Sequence, residues 1–323
     1  MSEVAATPGV VLWLPSWARL REGVAALPEF AKLAARADRT DAEPGDDARL
    51  KEAFDIIPRP HPKSGLPVAA LTRELDGGGS SHAAWLRADP GYVRPDMTSA
   101  RLLACGESLA LTQEEAEAFI KPLRTLFGDL NMPISAPTPS RWYLELSRDA
   151  KLPDFATPDE VLGDDLFQHL PEGDLGKRWK HLLNEAQTIL HNHPLNAERA
   201  KAGKPPVNTL WFWGGGVLPS HVRLGQGVRA IHSDDVLMRA LAARVPATLE
   251  PLAKFSPAAT AGGTIVDLRG ARDAAALYAK AIAPLLQGQK KAGFALVLQF
   301  ADGMKLTWKP SMKWRFWRKS PPK

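Results

Sequence analysis

The sequence predicts an α/β fold in which helices alternate with the strands of a largely parallel sheet. Short apolar runs typical of buried strands recur at residues 10–14, 228–231, 264–268 and 294–300. Helical patterns separate the later runs, at residues 234–244 and 271–286. Alternation of this kind favours parallel pairing, because each helix supplies the crossover connection that two parallel strands need.

Length and composition are those of an ordinary globular chain. It has 323 residues, of which 45% are apolar, enough for one large or two modest domains with a substantial core. The single cysteine, Cys105, excludes an intrachain disulfide and cysteine metal clusters. No apolar run approaches the roughly 18 residues of a membrane span, and no basic segment precedes the run at 10–14. We therefore expect a cytoplasmic protein.

The first third of the chain contains the first strand and then its least regular part. Residues 10–14 form the strand. Residues 38–62 are acidic and then rich in proline, and residues 77–79 are three glycines. Such composition is typical of flexible connections, so we expect mobile surface loops in these two stretches.

An amphipathic helix begins after Thr112. Thr112 and Glu115 have the spacing of a capping box, in which each side chain bonds the other residue's backbone N–H. One apolar face follows, made of Ala116, Phe119, Ile120, Leu123 and Phe127. We predict a helix packed on the core along this face.

The middle of the chain combines loops with a second helix. Residues 131–175 are rich in proline, aspartate and glycine, which predicts long loops around short strands. A helical stripe follows, made of Trp179, Leu182, Leu183, Ala186 and Leu190. This helix leads directly into the most distinctive segment of the sequence.

Residues 191–216, HNHPLNAERAKAGKPPVNTLWFWGGG, concentrate groups that suit an anionic ligand. The guanidinium of Arg199 can bond a phosphate or carboxylate with two N–H groups, and Lys204 adds positive charge. Asn196 and Asn208 can donate amide hydrogen bonds. The prolines of this segment stiffen the backbone, so that less ordering is needed when a ligand binds.

A strand at residues 209–213 is predicted to end in a glycine loop, Gly214 to Gly216, whose backbone amides could approach an oxyanion. The alternative is a rigid surface connection in which the asparagines and prolines only build turns. Under the first interpretation the ligand-binding residues are His193, Asn196, Arg199, Lys204, Asn208, Gly214, Gly215 and Gly216.

The pattern HPLNxxRxxxGKPPxNxxWxWGGG resembles the ligand-contacting segment of the archaeal-type, cofactor-independent phosphoglycerate mutases, which belong to the alkaline phosphatase superfamily. Two further pieces match in the same order, LTQEEA at residues 111–116 and SRWYL at residues 140–144. The agreement covers roughly residues 100–240. The whole chain is more similar to a bacterial group named regulator of pathogenicity factors, protein E, which shares this mutase-like middle.

This resemblance implies an alkaline-phosphatase-like sheet core that both ends of the chain build together. The core would comprise residues 1–84 and 207–304, with residues 85–206 as an inserted α+β domain. Residues 305–323 would form a basic, aromatic tail.

The resemblance also implies a two-metal site with carboxylate and histidine ligands and a nucleophilic serine. For most of these residues the sequence offers no counterpart at the expected position. The strand at 10–14 runs into Pro-Ser-Trp rather than Asp-Gly, and no histidine follows the strand at 294–300. Two-metal phosphoryl transfer needs several hard ligands for each cation. The remaining weak candidates are Asp302, the pair Asp234-Asp235, and His191 with His193, which share a face if their segment is extended. We assign no catalytic residue.

Three functions remain open. The first is a regulatory or ligand-binding relative of the mutases that binds a small phosphorylated or carboxylated metabolite and has a degraded metal site and no cofactor. The second is an active mutase or phosphatase that depends on Mn²⁺ or a similar divalent cation. The third is an interaction protein that acts through the tail.

The tail holds the positive charge of the chain. Residues 305–323 carry seven lysines and arginines and no acid, whereas the net charge of the whole chain is only +5. Tryptophans at 308, 314 and 317 and a phenylalanine at 316 lie among these cations. This mixture suits a membrane surface or a protein partner, and nucleic acid less well. The alternative is an edge strand with buried Leu306 and Trp308, followed by a solvated end whose aromatics pack on the domain.

Overall fold

The computed structural model describes residues 9–58, 65–96, 99–225, 227–315 and 317–318. Parts of the predicted loop at 38–62 and of the tail, including Phe316, Lys319 and Lys323, lie outside the described residues.

The described residues contain fourteen strands. They are β1 (Val10–Leu14), β2 (Asp38–Asp41), β3 (Phe54–Ile57), β4 (Ala84–Pro95), β5 (Ala100–Cys105), β6 (Ile134–Thr138), β7 (Arg141–Leu146), β8 (Thr209–Val217), β9 (His221–Leu224), β10 (Ala230–His232), β11 (Thr248–Glu250), β12 (Thr264–Asp267), β13 (Leu296–Phe300) and β14 (Met304–Trp308).

Eleven α-helices accompany them. They are α1 (Trp17–Ala25), α2 (Pro28–Arg36), α3 (Asp46–Ala53), α4 (Val68–Gly77), α5 (Gln113–Gly128), α6 (Pro158–Val161), α7 (Gly173–His191), α8 (Leu195–Lys201), α9 (Val236–Ala242), α10 (Ala274–Leu277) and α11 (Ala283–Ala292). A π-helical turn, Tyr278–Ile282, joins the last two. None of the helices in the described part of the chain has the length and apolarity that a membrane crossing requires.

The chain divides into two compact units. Unit 1 consists of residues up to Ile57 together with those from His221 onward, and unit 2 is Pro58–Ser220. Unit 2 therefore extends beyond the predicted insertion of 85–206 at both ends. The reason lies in strand pairing, because β8 pairs along most of β4 and α4 packs on both strands.

Unit 1 contains a seven-stranded sheet in the order β11-β10-β12-β1-β13-β14-β2. The strands from β11 to β13 are parallel, whereas β14 pairs antiparallel with both of its neighbours, β13 and β2. β1 lies in the middle because its side chains are almost entirely apolar, and Leu12 and Leu14 are fully buried. The predicted α/β fold with a largely parallel sheet is confirmed.

Unit 2 is an α+β unit around an antiparallel sheet. Its strand order is β5-β4-β7-β6, and β8 lies along β4. Both predicted helices are present, since Thr112 caps α5 with Glu115 in a capping box and the apolar stripes of α5 and α7 are buried. Phe119, Trp179 and Phe212 lie in the core that these helices form with the sheet.

The prediction of mobile loops over residues 38–62 was wrong for the described residues there. They form β2, α3 and β3. Two charged side chains of this region hold it in place. Arg49 is buried against backbone carbonyls, and Glu52 bonds Lys305 of β14. Ion pairing of this kind is not visible in a composition that is only acidic and rich in proline.

The strand predicted at the start of the tail is β14, in which Leu306 is fully buried and Trp308 is partly buried. Its predicted position at the sheet edge was wrong, because β2 pairs along its outer side. Pro310 follows the end of β14 and therefore removes no hydrogen bond from the sheet.

Candidate functional site

Arg199 is the most buried charged side chain of the segment 191–216. It lies on α8 with 1% of its surface exposed. Its guanidinium donates to three acceptors: Nε to the Pro205 carbonyl at 2.9 Å, Nη1 to Glu115 Oε2 at 2.8 Å, and Nη2 to the Leu109 carbonyl at 2.7 Å. Arg199 therefore ties the start of α5 to the loop after α8.

Glu115 combines two roles at the start of α5. One of its oxygens accepts the Thr112 N–H in the capping box and also bonds Arg199. Burial opposes its charge, but the Thr112 N–H, Arg199 and Lys204 together hold the pKa of Glu115 below its usual value. The carboxylate is thus ionised and committed to these partners at neutral pH.

The two asparagines connect separate stretches of the backbone through side-chain hydrogen bonds. The Asn196 amide donates to the carbonyls of Leu190 and Val207, and its oxygen accepts the Val207 N–H. Asn208 exchanges two hydrogen bonds with the backbone of Val93, at 2.8 and 2.7 Å. Both side chains replace the sheet or turn bonds that the backbone lacks at these points.

His193 and Lys204 complete the predicted set of polar residues. The ring of His193 lies 4.6 Å from that of Phe119, and Nε2 is 3.2 Å from the Ala118 carbonyl. Lys204 is held less tightly: its Nζ lies 3.5 Å from Glu115 and 38% of its side chain is exposed. Lys204 is therefore much more accessible to solvent than Arg199, the other predicted cation.

The glycine triplet is not a loop. β8 continues through Gly214, Gly215 and Gly216, so the predicted end of the strand at Trp213 was wrong. A Cβ on Gly214 would lie 2.9 Å from Val68 Cβ, and one on Gly216 would lie 2.8 Å from Pro67 Cβ. The glycines are needed because the start of α4 packs directly on the strand.

His191 is the last residue of α7, so the extended segment that would place it on one face with His193 does not form. It lines a groove of about 520 Å³ in unit 2, together with Asn192, Asn208 and Phe167. The other groups that line it are amides, a hydroxyl and apolar side chains. This donor set suits a neutral polar ligand better than a phosphate.

A second polar cluster lies in unit 1, where β12 and its parallel neighbours end. Ligands of open α/β sheets bind at the carboxyl ends of the strands, so this edge is the natural place for a site. Asp267 ends β12, and Arg269 follows two residues later. Ser233 follows the adjacent β10 and donates to Asp267 at 2.8 Å.

Arg269 binds three carboxylates at this edge. It contacts Asp267 through two hydrogen bonds of 2.8 and 2.7 Å, Asp46 at 2.5 Å, and Asp235 at 3.3 Å. Burial opposes the charge of Arg269, but these anions outweigh burial and raise its pKa. Its guanidinium also lies 5.5 Å from the centre of the Trp13 ring, a cation–π contact.

Arg49 adds a second buried cation. It is 2% exposed, bonds the other oxygen of Asp46, and donates to the carbonyl of Leu14 at the end of β1. Its guanidinium lies 5.6 Å from the Trp13 ring. Asp46 is therefore held between two arginines.

These carboxylates do not fit a divalent metal ion. Both oxygens of Asp267 and of Asp46 bond arginine, and Asp235 caps α9 with one oxygen while the other faces Arg269. Among the described residues, no group of three or more acidic, histidine or cysteine side chains is placed to hold a metal. Each oxygen would have to give up a cation or a helix N–H before it could coordinate one.

The predicted metal candidates are not brought together, and Asp302 and His193 have other partners. Asp302 accepts the Trp17 N–H at 2.8 Å and so caps α1. His191 lines the groove of unit 2, and His193 bonds the Ala118 carbonyl. Asp302 belongs to unit 1 and both histidines to unit 2.

Arg49, Arg269, Asp46 and Asp267 were not among the site residues predicted from the sequence. A signal for two of them was present, since an acidic residue lies within the apolar run at 264–268 and an arginine follows the run. Asp46 lies 223 residues before Arg269 in sequence, so Asp46 and Arg49 could be connected to the other two residues only through the fold.

No protein family model matches the chain. A probable 2,3-bisphosphoglycerate-independent phosphoglycerate mutase of Geobacter sulfurreducens is 39% identical over 62 residues, which are 19% of this chain and 16% of that protein. The enzyme of that name from Methanosarcina mazei is 34% identical over 62 residues, 19% of this chain and 16% of the relative. That of Methanosarcina barkeri is 28% identical over 111 residues, 34% of this chain and 28% of the relative.

Part of this chain is phosphoglycerate-mutase-like. The aligned stretch covers less than a third of each of these relatives. Two solved structures can be superimposed at low similarity: a cofactor-independent phosphoglycerate mutase from Thermoplasma acidophilum, with a TM-score of 0.44, 14% identity and coverage of 94% of this chain and 90% of the other, and a Pyrococcus horikoshii protein with the same score and identity and coverage of 94% and 88%.

Proposed function

We propose that this phosphoglycerate-mutase-like protein binds a small phosphorylated or carboxylated metabolite without metal-dependent turnover and acts as a regulatory protein. The observation that carries the absence of metal-dependent turnover is the position of Arg269 at the carboxyl edge of the parallel sheet, and metabolite binding rests on the partly exposed side chain of Lys204. The Arg269 guanidinium is bonded to Asp46, Asp235 and Asp267. The predicted likeness to a bacterial regulatory group supports the same role and stays a prediction.

The arginine-bound carboxylates argue against two-metal chemistry on physical grounds. Such chemistry requires two cations about 4 Å apart, each with several hard ligands. Here the charges of Asp46 and Asp267 are already balanced by guanidinium groups in a partly buried place. Removing one partner from such a pair leaves an uncompensated charge, which is costly.

The ligand is proposed to meet the segment 191–216 through Lys204. Arg199 is buried and each of its three nitrogens donates to an internal acceptor, whereas the Lys204 side chain is partly exposed and its ammonium lies as far as 3.5 Å from Glu115. A phosphate or carboxylate could approach this ammonium without breaking a short hydrogen bond. Lys204 would then contribute as a point charge on a flexible stem.

Calorimetric titration with 3-phosphoglycerate, with and without Mn²⁺, tests the proposal. We expect saturable binding, no continued heat from turnover in either buffer, and an affinity that Mn²⁺ leaves unchanged. Lys204→Ala should weaken binding about five- to tenfold, because one charge-assisted contact is lost. Lys177→Ala is the matched control, since Lys177 is an exposed lysine on α7 of the same unit.

Two results would overturn the proposal. Turnover that requires Mn²⁺ would establish the alternative, an active metal-dependent mutase or phosphatase, for which the partial similarity to the mutases is the present support. Absence of binding in both buffers would contradict metabolite binding and leave the third possibility, an interaction protein.

A further inference from the structure

Two tryptophans near the end of the chain are exposed to an unusual degree. Trp314 is 66% exposed and Trp317 is 63% exposed, more than Phe167 in unit 2 at 59%. Most of each side chain is open to solvent, so packing of the tail aromatics on the domain accounts for only the smaller part of these two surfaces. Large exposed apolar side chains that occur together indicate an interaction surface.

The segment that carries these tryptophans is anchored to unit 1. Met312 is 3% exposed, and Arg36 donates to the Lys313 carbonyl at 3.0 Å. Arg315 bonds Asp38, and Arg318 donates to the Ala37 carbonyl at 3.1 Å. The indoles are therefore presented by a fixed segment, so that little ordering is required when they enter a partner surface.

Positive charge surrounds the indoles. Lys309 and Lys313 are exposed, and the Lys313 ammonium lies 5.1 Å from the Trp314 ring. By sequence, no acidic residue occurs from 305 to 323, where the net charge is +7. A partner of complementary charge is consequently anionic.

We propose that this surface, formed by Lys309, Lys313, Trp314 and Trp317, binds the surface of an anionic phospholipid bilayer. Tryptophan rings are amphipathic and prefer the headgroup level, where an N–H remains hydrated while the ring enters the acyl boundary. Lysines beside them attract anionic lipids. Single-stranded nucleic acid is less suitable, because Arg315, which would stack on bases or clamp phosphates, is bound to Asp38.

Vesicle flotation of the full chain tests the proposal. We expect the protein to float with vesicles of phosphatidylcholine and phosphatidylglycerol at low salt, and to float much less with phosphatidylcholine alone or at high salt. The double variant Trp314→Ala/Trp317→Ala should bind about tenfold or more weakly, because both interfacial side chains are lost. Phe167→Ala is the control, since Phe167 is 59% exposed in unit 2.

A second variant separates charge from apolar contact. Lys309→Glu/Lys313→Glu should abolish the preference for anionic vesicles while circular dichroism and the melting temperature stay unchanged, since both side chains are exposed. Equal flotation with neutral and anionic vesicles, or unchanged flotation of the tryptophan variant, would overturn the proposal. So would the absence of flotation combined with tight binding of a labelled oligouridylate, which would assign the surface to nucleic acid.

Discussion

At the scale of single residues, the side chains predicted to face a ligand mostly face the protein. The sequence identified Arg199, Asn196 and Asn208 as strong donors, which they are. It could not show the direction of those donors, because the acceptors on Leu109 and Val93 lie about 90 and 115 residues away along the chain. A segment whose donors bind a ligand and one whose donors bond the protein's own backbone can have the same local sequence, and only the fold distinguishes them.

Arg199→Ala is expected to lower the free energy of unfolding by about 2 to 4 kcal/mol. The variant loses three hydrogen bonds and leaves Glu115, which is only 16% exposed, without its closest cation. Urea denaturation monitored by circular dichroism measures the effect. Lys201→Ala on the same helix is the control and should change stability by less than about 0.5 kcal/mol, since Lys201 is exposed. A change in Arg199→Ala as small as that of the control would disprove the internal role.

Arg269→Ala is expected to create a response to divalent cations. The substitution leaves Asp46, Asp235 and Asp267 without their shared cation, which should lower the free energy of unfolding by about 2 to 4 kcal/mol. Mn²⁺ should then raise the melting temperature of the variant, because binding to the folded state stabilises it.

The controls for this experiment are the unchanged protein and a variant of a nearby arginine. Neither the unchanged protein nor Arg272→Ala, which replaces an exposed arginine three residues further on, should respond to Mn²⁺. Equal shifts of the melting temperature in all three proteins would show that Mn²⁺ acts elsewhere and that Arg269 does not occupy the place of a metal cation.

At the scale of elements, long apolar patterns were predictable and ion-paired segments were not. The stripes of α5 and α7 have helical periodicity and the runs of β1, β12 and β13 are almost continuously apolar, so burial follows from the sequence alone. α3 has charged residues at both ends and little periodicity, and it is held through Arg49 by contacts with distant strands. Tertiary contacts of this kind override local composition.

The packing role of the glycines in β8 can be tested at Gly214. Gly214 has φ of +64°, and a Cβ there would meet Val68 at 2.9 Å. Gly214→Ala should therefore lower the free energy of unfolding by about 1 to 3 kcal/mol through backbone strain and crowding. The control is Gly128→Ala at the end of α5, where a Cβ meets nothing within 4 Å and the change should stay within about 1 kcal/mol. Thermal denaturation compares the two, and an equal effect at both positions would refute this packing role.

At the scale of the whole molecule, unit 2 is inserted into unit 1 at a single pair of adjacent strands. β3 and β9 are antiparallel, and Ile57, the last residue of β3, pairs with His221, the first of β9. Each unit has its own apolar core. The sequence predicted an insertion, but its ends could not be located because the pairing of β4 with β8 links segments more than 100 residues apart.

Excision of residues 58–220 should leave a folded unit 1. Because Ile57 and His221 are directly paired, their Cα atoms are about 5 Å apart, a distance that a two-residue Asn-Gly turn closes as a β-hairpin. The shortened chain should retain a mixed α/β circular dichroism spectrum and unfold cooperatively, and residues 58–220 expressed alone should do the same around their own core. If both fragments lacked cooperative unfolding, the two units would depend on each other for folding, and the insertion would have to be regarded as one structural domain with the sheet.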